Sequence, residues 1–574
     1  MSTKRLLSYL SMLILIALLT GCAAAPTPQI IEVEKEVPVE RQVTVVVEKV
    51  VEKEVVVTPT PVPPPQGGTF RMGIQTDIPF NPVYARGTDG VYVLRAIFSQ
   101  LVRTDINALP APDLAESWEH SPDGSEWTFF LNKDAKWHDG EPVTAHDVKF
   151  TFDSVLDPDV GSFKARDIGD LEQVDVIDDY TVKFTLSDGN AWWPTVVAYG
   201  YFIIPEHILG GQNLDEATEF NTTSPIGSGP YKVSEVVLGS HAVLEAFDDF
   251  YRGRPNIDTL VFKVLPDVNT QLAQLQAGEL DYVTVAAQHL SALKDNPDIV
   301  TKILPQATTL MLNYSHDSPF LQDRSVREAL IYGLNRQLII DQVSEGTGII
   351  GEGPLSPAVK AYFNSDLPIR YYDPDNAAEL LAEAGWEDTD DDGLLDKDID
   401  GDGARDAFVL NLISDKGNPA REQVTLIAQQ YWEKLGIKVE PEILERSVWA
   451  ARLRARPGAK EGQTSADCDI YTSNRSYQEN PDRMRLFWYT DSGTNIGNYS
   501  NPEVDALLDA GNQEFDDAKR VEIYKEFQEV FAADAPWILV YYDPEKVAMN
   551  PKLTMPDMYI REALTWVDSW YMEP

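Results

Sequence analysis

Cysteine is nearly missing from this 574-residue chain, which has only Cys22 and Cys468. Once Cys22 is engaged elsewhere Cys468 has no mate, so no disulfide framework holds the fold and stability must come from burial. Positive charge is scarce too. Against 92 Asp and Glu stand 47 Lys and Arg, a formal net charge of −45. A field of that sign repels phosphate, which makes nucleic acid and anionic lipid surfaces poor partners. The seven histidines never fall in metal-ligand spacing. His138 and His146, flanking a turn and a helix start, read as surface or capping residues. There is no glycine-rich phosphate loop, no G-x-S-x-G and no H-E-x-x-H, so the signatures of nucleotide, serine-hydrolase and zinc-protease chemistry are missing. A glycosidase-type carboxylate pair is defined by separation in space, and nothing in the sequence supports one.

What is present begins with the run Leu6 to Leu19, almost wholly apolar and preceded by Lys4 and Arg5. About 14 residues cannot cross a bilayer core that needs roughly 20, so the layout is that of a secretory signal. It ends in Leu19-Thr20-Gly21-Cys22, which resembles the lipobox of bacterial lipoproteins. That resemblance implies removal of residues 1–21 and a diacylglycerol on the Cys22 thiol. Each acyl methylene then adds about 0.8 kcal/mol of membrane affinity. Loss of Lys4 and Arg5 takes the mature charge from −45 to −47. Residues 22–66 read as a low-complexity tether in which VEKEV occurs at Val33–Val37 and again at Val51–Val55. Its prolines from Pro59 to Pro65 are stiff and extended, at about 3.1 Å per residue. Its valine-rich middle could instead pair as a strand or self-associate.

From Gly67 onward about 508 residues remain, beyond the size of roughly 250 at which single cores split. An apolar content of 43% and twelve Trp suit a well-buried body. Thr69–Asp77, Glu126–Leu131 and Tyr180–Leu186 read as strands. Thr144-Ala145-His146-Asp147 predicts a capped helix through Val155, and Ser325-Val326-Arg327-Glu328 predicts another with Val326, Leu330, Ile331 and Leu334 on one face. Asp373-Pro374 opens a helix that Gly385 closes, and Asn501-Pro502 opens one more. Strands and helices interleave, which is an α/β pattern.

Four blocks carry a family resemblance: Leu109–Val155 (LPAPDLAESWEHSPDGSEWTFFLNKDAKWHDGEPVTAHDVKFTFDSV), Ser224–Val233 (SPIGSGPYKV), Leu312–Ile340 and Ala377–Trp386. They resemble the family 5 extracellular solute-binding proteins, the peptide and nickel receptors of ABC importers. The resemblance implies a two-lobed, periplasmic-binding-protein-like fold (type II, cluster C) with an extra domain inserted in the first lobe. Lobe I would comprise 67–103, 223–306 and 535–574, the insert 104–222, and lobe II 307–534. It also implies a monomer without enzymatic activity. Such a receptor sits outside the cytoplasmic membrane, in the periplasm or on the outer face, tethered by lipid, and hands a small ligand to permease subunits. ATP hydrolysis belongs to a separate subunit.

Peptide is the leading ligand, with oligosaccharide and other solutes, metal chelates among them, as alternatives. In peptide-binding members a Trp-x-x-Asp segment supplies an aromatic wall and a carboxylate. An ungapped alignment places Arg475 and Gln478 there, and a one-residue gap brings Glu479 to the carboxylate position. Thr88 and Asp89 are further cleft candidates, and Tyr477 and Trp488 offer stacking surface, Trp488 being equally well placed for the core. A secreted hydrolase and a calcium-organised adhesin are remoter readings.

Finally, Asp388–Asp406 contains D-x-D-x-D-G-x-x-D twice, as Asp388, Asp390, Asp392, Asp396 and as Asp398, Asp400, Asp402, Asp406. Alternate carboxylates with glycine at the sixth place (Gly393, Gly403) curl around a hard cation. One or two structural Ca²⁺ are expected, with no other cofactor. Ile399 and Val409 stand where an EF-hand has its bidentate Glu.

Overall fold

A computed structural model describes residues 63–85, 88–105, 107, 109–198, 200–454, 467–476, 480–556 and 560–574. The expected signal, Cys22 and nearly all of the tether lie outside the described residues. The division of the chain after Val62 leaves 63–574 as one compact unit.

Its frame is two large sheets. The first has seven strands, in the order Val300–Leu304, Glu545–Met549, Tyr282–Thr284, Thr69–Ile74, Thr259–Val264, His241–Ala246, Tyr231–Val237. Thr69–Ile74 runs parallel to Thr259–Val264 with Thr69 opposite Thr259, and its Phe70, Met72 and Ile74 are buried on alternate positions. That period of two is what a strand with one core face requires. The second sheet has five strands, Lys438–Leu444, Val409–Asp415, Ile470–Ser476, Thr308–Tyr314 and Trp537–Tyr542.

The chain passes between these sheets over 305–307 and returns over 543–544. The return is later than the sequence blocks imply. The resemblance implies lobe I from 535 onward, but Trp537–Tyr542 pairs antiparallel with Thr308–Tyr314, Asn313 opposite Trp537, and all six of its residues are buried. WILVYY has no polar face to turn to water, and its pairing with Thr308–Tyr314 makes it the last strand of the second sheet before the chain crosses. Gln306 Nε2 donates to Glu545 Oε2 at 2.8 Å, tying the two crossings together.

Within 104–222 a separate antiparallel sheet forms, ordered Ala115–His120, Glu126–Leu131, Thr181–Leu186, Leu171–Asp178. The helix Ala145–Leu156 packs on it, with Phe152 edge-on to Phe184 at 4.9 Å. Its capping box is present: the Thr144 N–H donates to Asp147 Oδ2 at 2.8 Å. The second expected box does not form, and a single N-cap two residues earlier takes its place. Asp323, not Ser325, caps Arg324–Tyr332, accepting from the Ser325 N–H at 2.8 Å, because its ionised carboxylate is the stronger acceptor.

Residues of the family blocks build the base of the first lobe and its joint with the insert. A Cβ on Gly227 would lie 1.9 Å from the Ile97 carbonyl oxygen, so that backbone approach needs glycine. His138 is not a surface or capping residue. Its Nδ1 accepts from the Gly227 N–H at 3.2 Å and its Nε2 donates to the Gly229 oxygen at 3.1 Å, so it clasps the segment that returns to lobe I. Burial pushes its pKa down to about 4.

Candidate ligand-binding cavity

The sequence forms the cavity at the junction of the insert with the second lobe. On the insert side, Asp167, Gly169 and Asp170 end a 3₁₀ turn, Asp188 and Gly189 follow the strand Thr181–Leu186, and Thr195 and Val196 lie on the short helix Trp193–Val197. On the other side the wall is built by the turn Pro481–Arg483, the helix Met484–Trp488 and the helix Pro502–Gln513. Asn480 caps the turn by accepting from the Asp482 N–H at 2.9 Å, which fixes where the Asp482 carboxylate starts. Together these enclose about 580 Å³, within the range of roughly 300–1,000 Å³ that small-molecule sites occupy.

The walls meet beside the cavity. Trp192, 1% exposed, crosses from the insert to lie 5.3 Å from the Tyr362 ring and 5.5 Å from the Tyr524 ring of the second lobe. The Arg520 guanidinium covers the same indole at 4.5 Å. The Ala191 N–H donates to the Asn512 oxygen at 3.2 Å. His120 stacks on Phe515 at 4.4 Å. Across the opening Arg483 Nη1 and Asp167 Oδ2 approach to 4.0 Å, an ion pair whose two partners come from opposite walls.

Asp482 is the most perturbed acid of the lining. Burial raises its pKa to about 6, with Asp509 adding to the shift and Arg485 opposing it. It accepts from Asn512 Nδ2 at 3.0 Å and from the Tyr524 hydroxyl at 3.3 Å. Arg485 pairs with Asp509 at 2.5 Å. Burial disfavours the Arg485 charge, yet the Asp509 and Asp482 carboxylates outweigh it and hold the guanidinium pKa above its ordinary value. Hydrogen-bonding groups dominate the lining, with Tyr201 as its one ring among the described residues, which suits a polar ligand held by many moderate contacts.

The ligand residues expected from sequence are placed elsewhere or fall outside the description. Thr88 and Asp89 open the helix Thr88–Ile97, and their side chains lie outside the described ones. Tyr477 and Gln478, with Glu479, are outside the described residues. Arg475 ends the strand Ile470–Ser476, and its guanidinium stacks 4.2 Å from the Phe487 ring centroid. Trp488 is core: 5% exposed, it packs edge-on against Tyr499, Phe531 and Trp537 at 4.8–6.0 Å. Neither Arg475 nor Trp488 lines the cavity. Sequence reading missed Asp167, Asp170, Asp188, Asp482, Arg485 and Asp509. The signal within reach was Asn480-Pro481-Asp482, a capped turn in the connection that follows the strand Ile470–Ser476, the kind of place where loops carry function.

In each Asp loop three of the four expected aspartates converge. Carboxylate oxygens of Asp388, Asp390 and Asp392 lie within 4.8 Å of one another, and so do those of Asp398, Asp400 and Asp402. Gly393 and Gly403 have φ of +89° and +90°, and their N–H groups donate to Asp388 and Asp398, each at 3.0 Å. Asp396 and Asp406 join neither set. Asp396 is taken by Thr389 Oγ1 at 2.9 Å and by Arg405, so its charge is already neutralised. Asp406 pairs in a two-residue ladder with Lys397. A hard cation needs six to eight oxygens, and three carboxylates per loop fit its inner part.

Comparison with known proteins sets this arrangement in context. Over residues 110–498 the chain matches the bacterial extracellular solute-binding proteins, family 5. It is 32% identical over 519 residues to the oligopeptide-binding protein AppA of Bacillus subtilis strain 168, covering 89% of this chain and 92% of that one. It is 27% identical over 494 residues to the dipeptide-binding protein of Escherichia coli K12, covering 80% and 86%. The solved structure of the Bacillus subtilis AppA protein in complex with a nonapeptide superposes with a TM-score of 0.66 at 29% identity, over 89% of this chain and all of that one. With two sheets joined by paired crossings, an inserted sheet, and a match over more than half its length, the chain belongs to the bacterial extracellular solute-binding proteins of family 5.

Proposed function

We propose that this protein is the extracytoplasmic receptor of an ABC importer and that it captures a peptide in the cavity between the insert and the second lobe. The observation that carries the reading is that cavity: polar, of ligand size, and walled by two parts that each have their own sheet. Relatives named for oligopeptide and dipeptide binding favour peptide over sugar. In this account a ligand touching both walls stabilises the closed arrangement by its differential affinity for it, and the paired crossings at 305–307 and 543–544 absorb the motion. The permease reads the closed form. No catalytic step is required of the receptor.

The anchor is the lipid on Cys22, with residues 22–66 as spacer. Among the described residues no helix is long and apolar enough to cross a membrane. The Cys22→Ala variant is expected to leave the membrane fraction for the soluble one; retention on the membrane refutes the anchor. The Asp388–Asp392 and Asp398–Asp402 clusters we assign to structural Ca²⁺, supported by their convergent oxygens. Ligand capture is tested by titrating the full chain with defined peptides and with oligosaccharides while following tryptophan fluorescence, since Trp192 stands beside the cavity. Saturable response to peptides is expected. A response to sugars alone replaces the ligand class, and silence to every peptide defeats the proposal.

A further inference from the structure

The cavity lining is charged unevenly. Among its described residues Asp167, Asp170, Asp188, Asp482 and Asp509 face Arg483 and Arg485, so five carboxylates stand against two guanidiniums. Both cations are already engaged: Arg485 with Asp509 at 2.5 Å and Asp482 at 3.9 Å, Arg483 with Asp167 at 4.0 Å. Asp170 and Asp188 have no cationic partner among the described residues. Thr195, 5% exposed, faces the same space, and its hydroxyl has no hydrogen-bond partner among the described residues. That hydroxyl opens onto the cavity, which makes it a place for a ligand donor or acceptor.

Resting on the peptide reading above, we infer that the cavity selects peptides bearing positively charged side chains, whose ammonium or guanidinium group sits between Asp170 and Asp188 and donates to Thr195. Three features converge on that class. The cavity carries a surplus of three negative charges, its two arginines are neutralised from within, and its unpaired hydroxyl lies on the wall that bears Asp170 and Asp188. A ligand carboxylate would meet no free guanidinium there and would be repelled by the surplus. The concave site concentrates its field on the ligand more than an open surface of equal charge does.

The test is calorimetric titration of the full chain with oligolysine, oligoalanine and oligoglutamate of matched lengths from three to six residues. Oligolysine is expected to bind at least about tenfold more tightly than oligoglutamate, with a gap that narrows as salt is raised. The exposed pair Asp170→Asn and Asp188→Asn is expected to cut the preference for oligolysine over oligoalanine by roughly threefold to tenfold. Removing the same charge from a distant helix, with Glu379→Gln and Glu383→Gln on Pro374–Glu383, is expected to leave the preference intact. Equal affinities for the three series overturn the inference and leave the peptide reading standing, as does an equal loss in the two double variants, which would assign the preference to the net charge of −45. No binding to any series sinks both.

Discussion

Replacing His138 by Gln removes a titratable group while keeping a donor and an acceptor within reach of Gly229 and Gly227. In the native protein the ring holds both backbone groups as a neutral imidazole, with its pKa lowered by burial from 6.5 to about 4. The unfolded chain therefore binds a proton between those values that the folded one refuses. A depressed histidine contributes stability above its unfolded pKa that is lost as pH falls, so the slope of stability with pH is positive in this window. Integrating from pH 8 to pH 5 gives a loss of about 2 kcal/mol for this one residue. His316, also pushed down to about 4 by burial, adds a similar amount. Urea unfolding followed by tryptophan fluorescence at pH 8 and pH 5 measures the drop. The drop in His138→Gln should be about 2 kcal/mol smaller than in the parent. If parent and variant fall equally, His138 is not held neutral in the fold and the clasp is wrong.

Asp482 should behave with the opposite sign. Its pKa is raised by burial to about 6, so the stability its neutral form gives is lost as pH rises through 6, and Asp482→Asn is expected to flatten that decline in thermal melts. Truncating Trp488 to Ala empties the aromatic core it shares with Tyr499, Phe531 and Trp537 and should cost about 3–5 kcal/mol in chemical unfolding. Peptide affinity of the folded fraction should be kept, and loss of affinity alone would return Trp488 to the ligand. Ca²⁺ at a hundredfold excess over its dissociation constant should add about 2.7 kcal/mol of stability. Chelator should remove that gain, and the variant carrying Asp390→Asn and Asp400→Asn should not show it. An unchanged melting temperature in all three conditions would leave the Asp loops without an ion.

Much of the frame could be read from sequence because local chemistry set it. Glu126–Leu131 is a strand at the bounds expected, Thr144 and Asp147 cap one helix, and Asn501-Pro502 opens another. The lobe boundary near 535 was misplaced because WILVYY is equally apolar whichever sheet it joins, and pairing with Thr308–Tyr314 is a long-range fact. The family blocks proved to be structural. Gly227 admits the Ile97 carbonyl, His138 clasps Gly227 and Gly229, and buried Trp137 donates to Asp147 at 3.4 Å. Residues that recur for packing therefore identify the fold without marking the ligand. The cavity lining comes from turns at 167–170, 188–190 and 480–485, brought together only by docking of the insert on the second lobe, so no local pattern announces it.

The most direct measurement is native mass spectrometry of the full chain before and after incubation with peptide. The account predicts one adduct per chain that fragments into amino-acid residues and is displaced by excess oligolysine. An adduct that fragments as sugar units, or a mass unchanged by any peptide while the fold is intact, would contradict it.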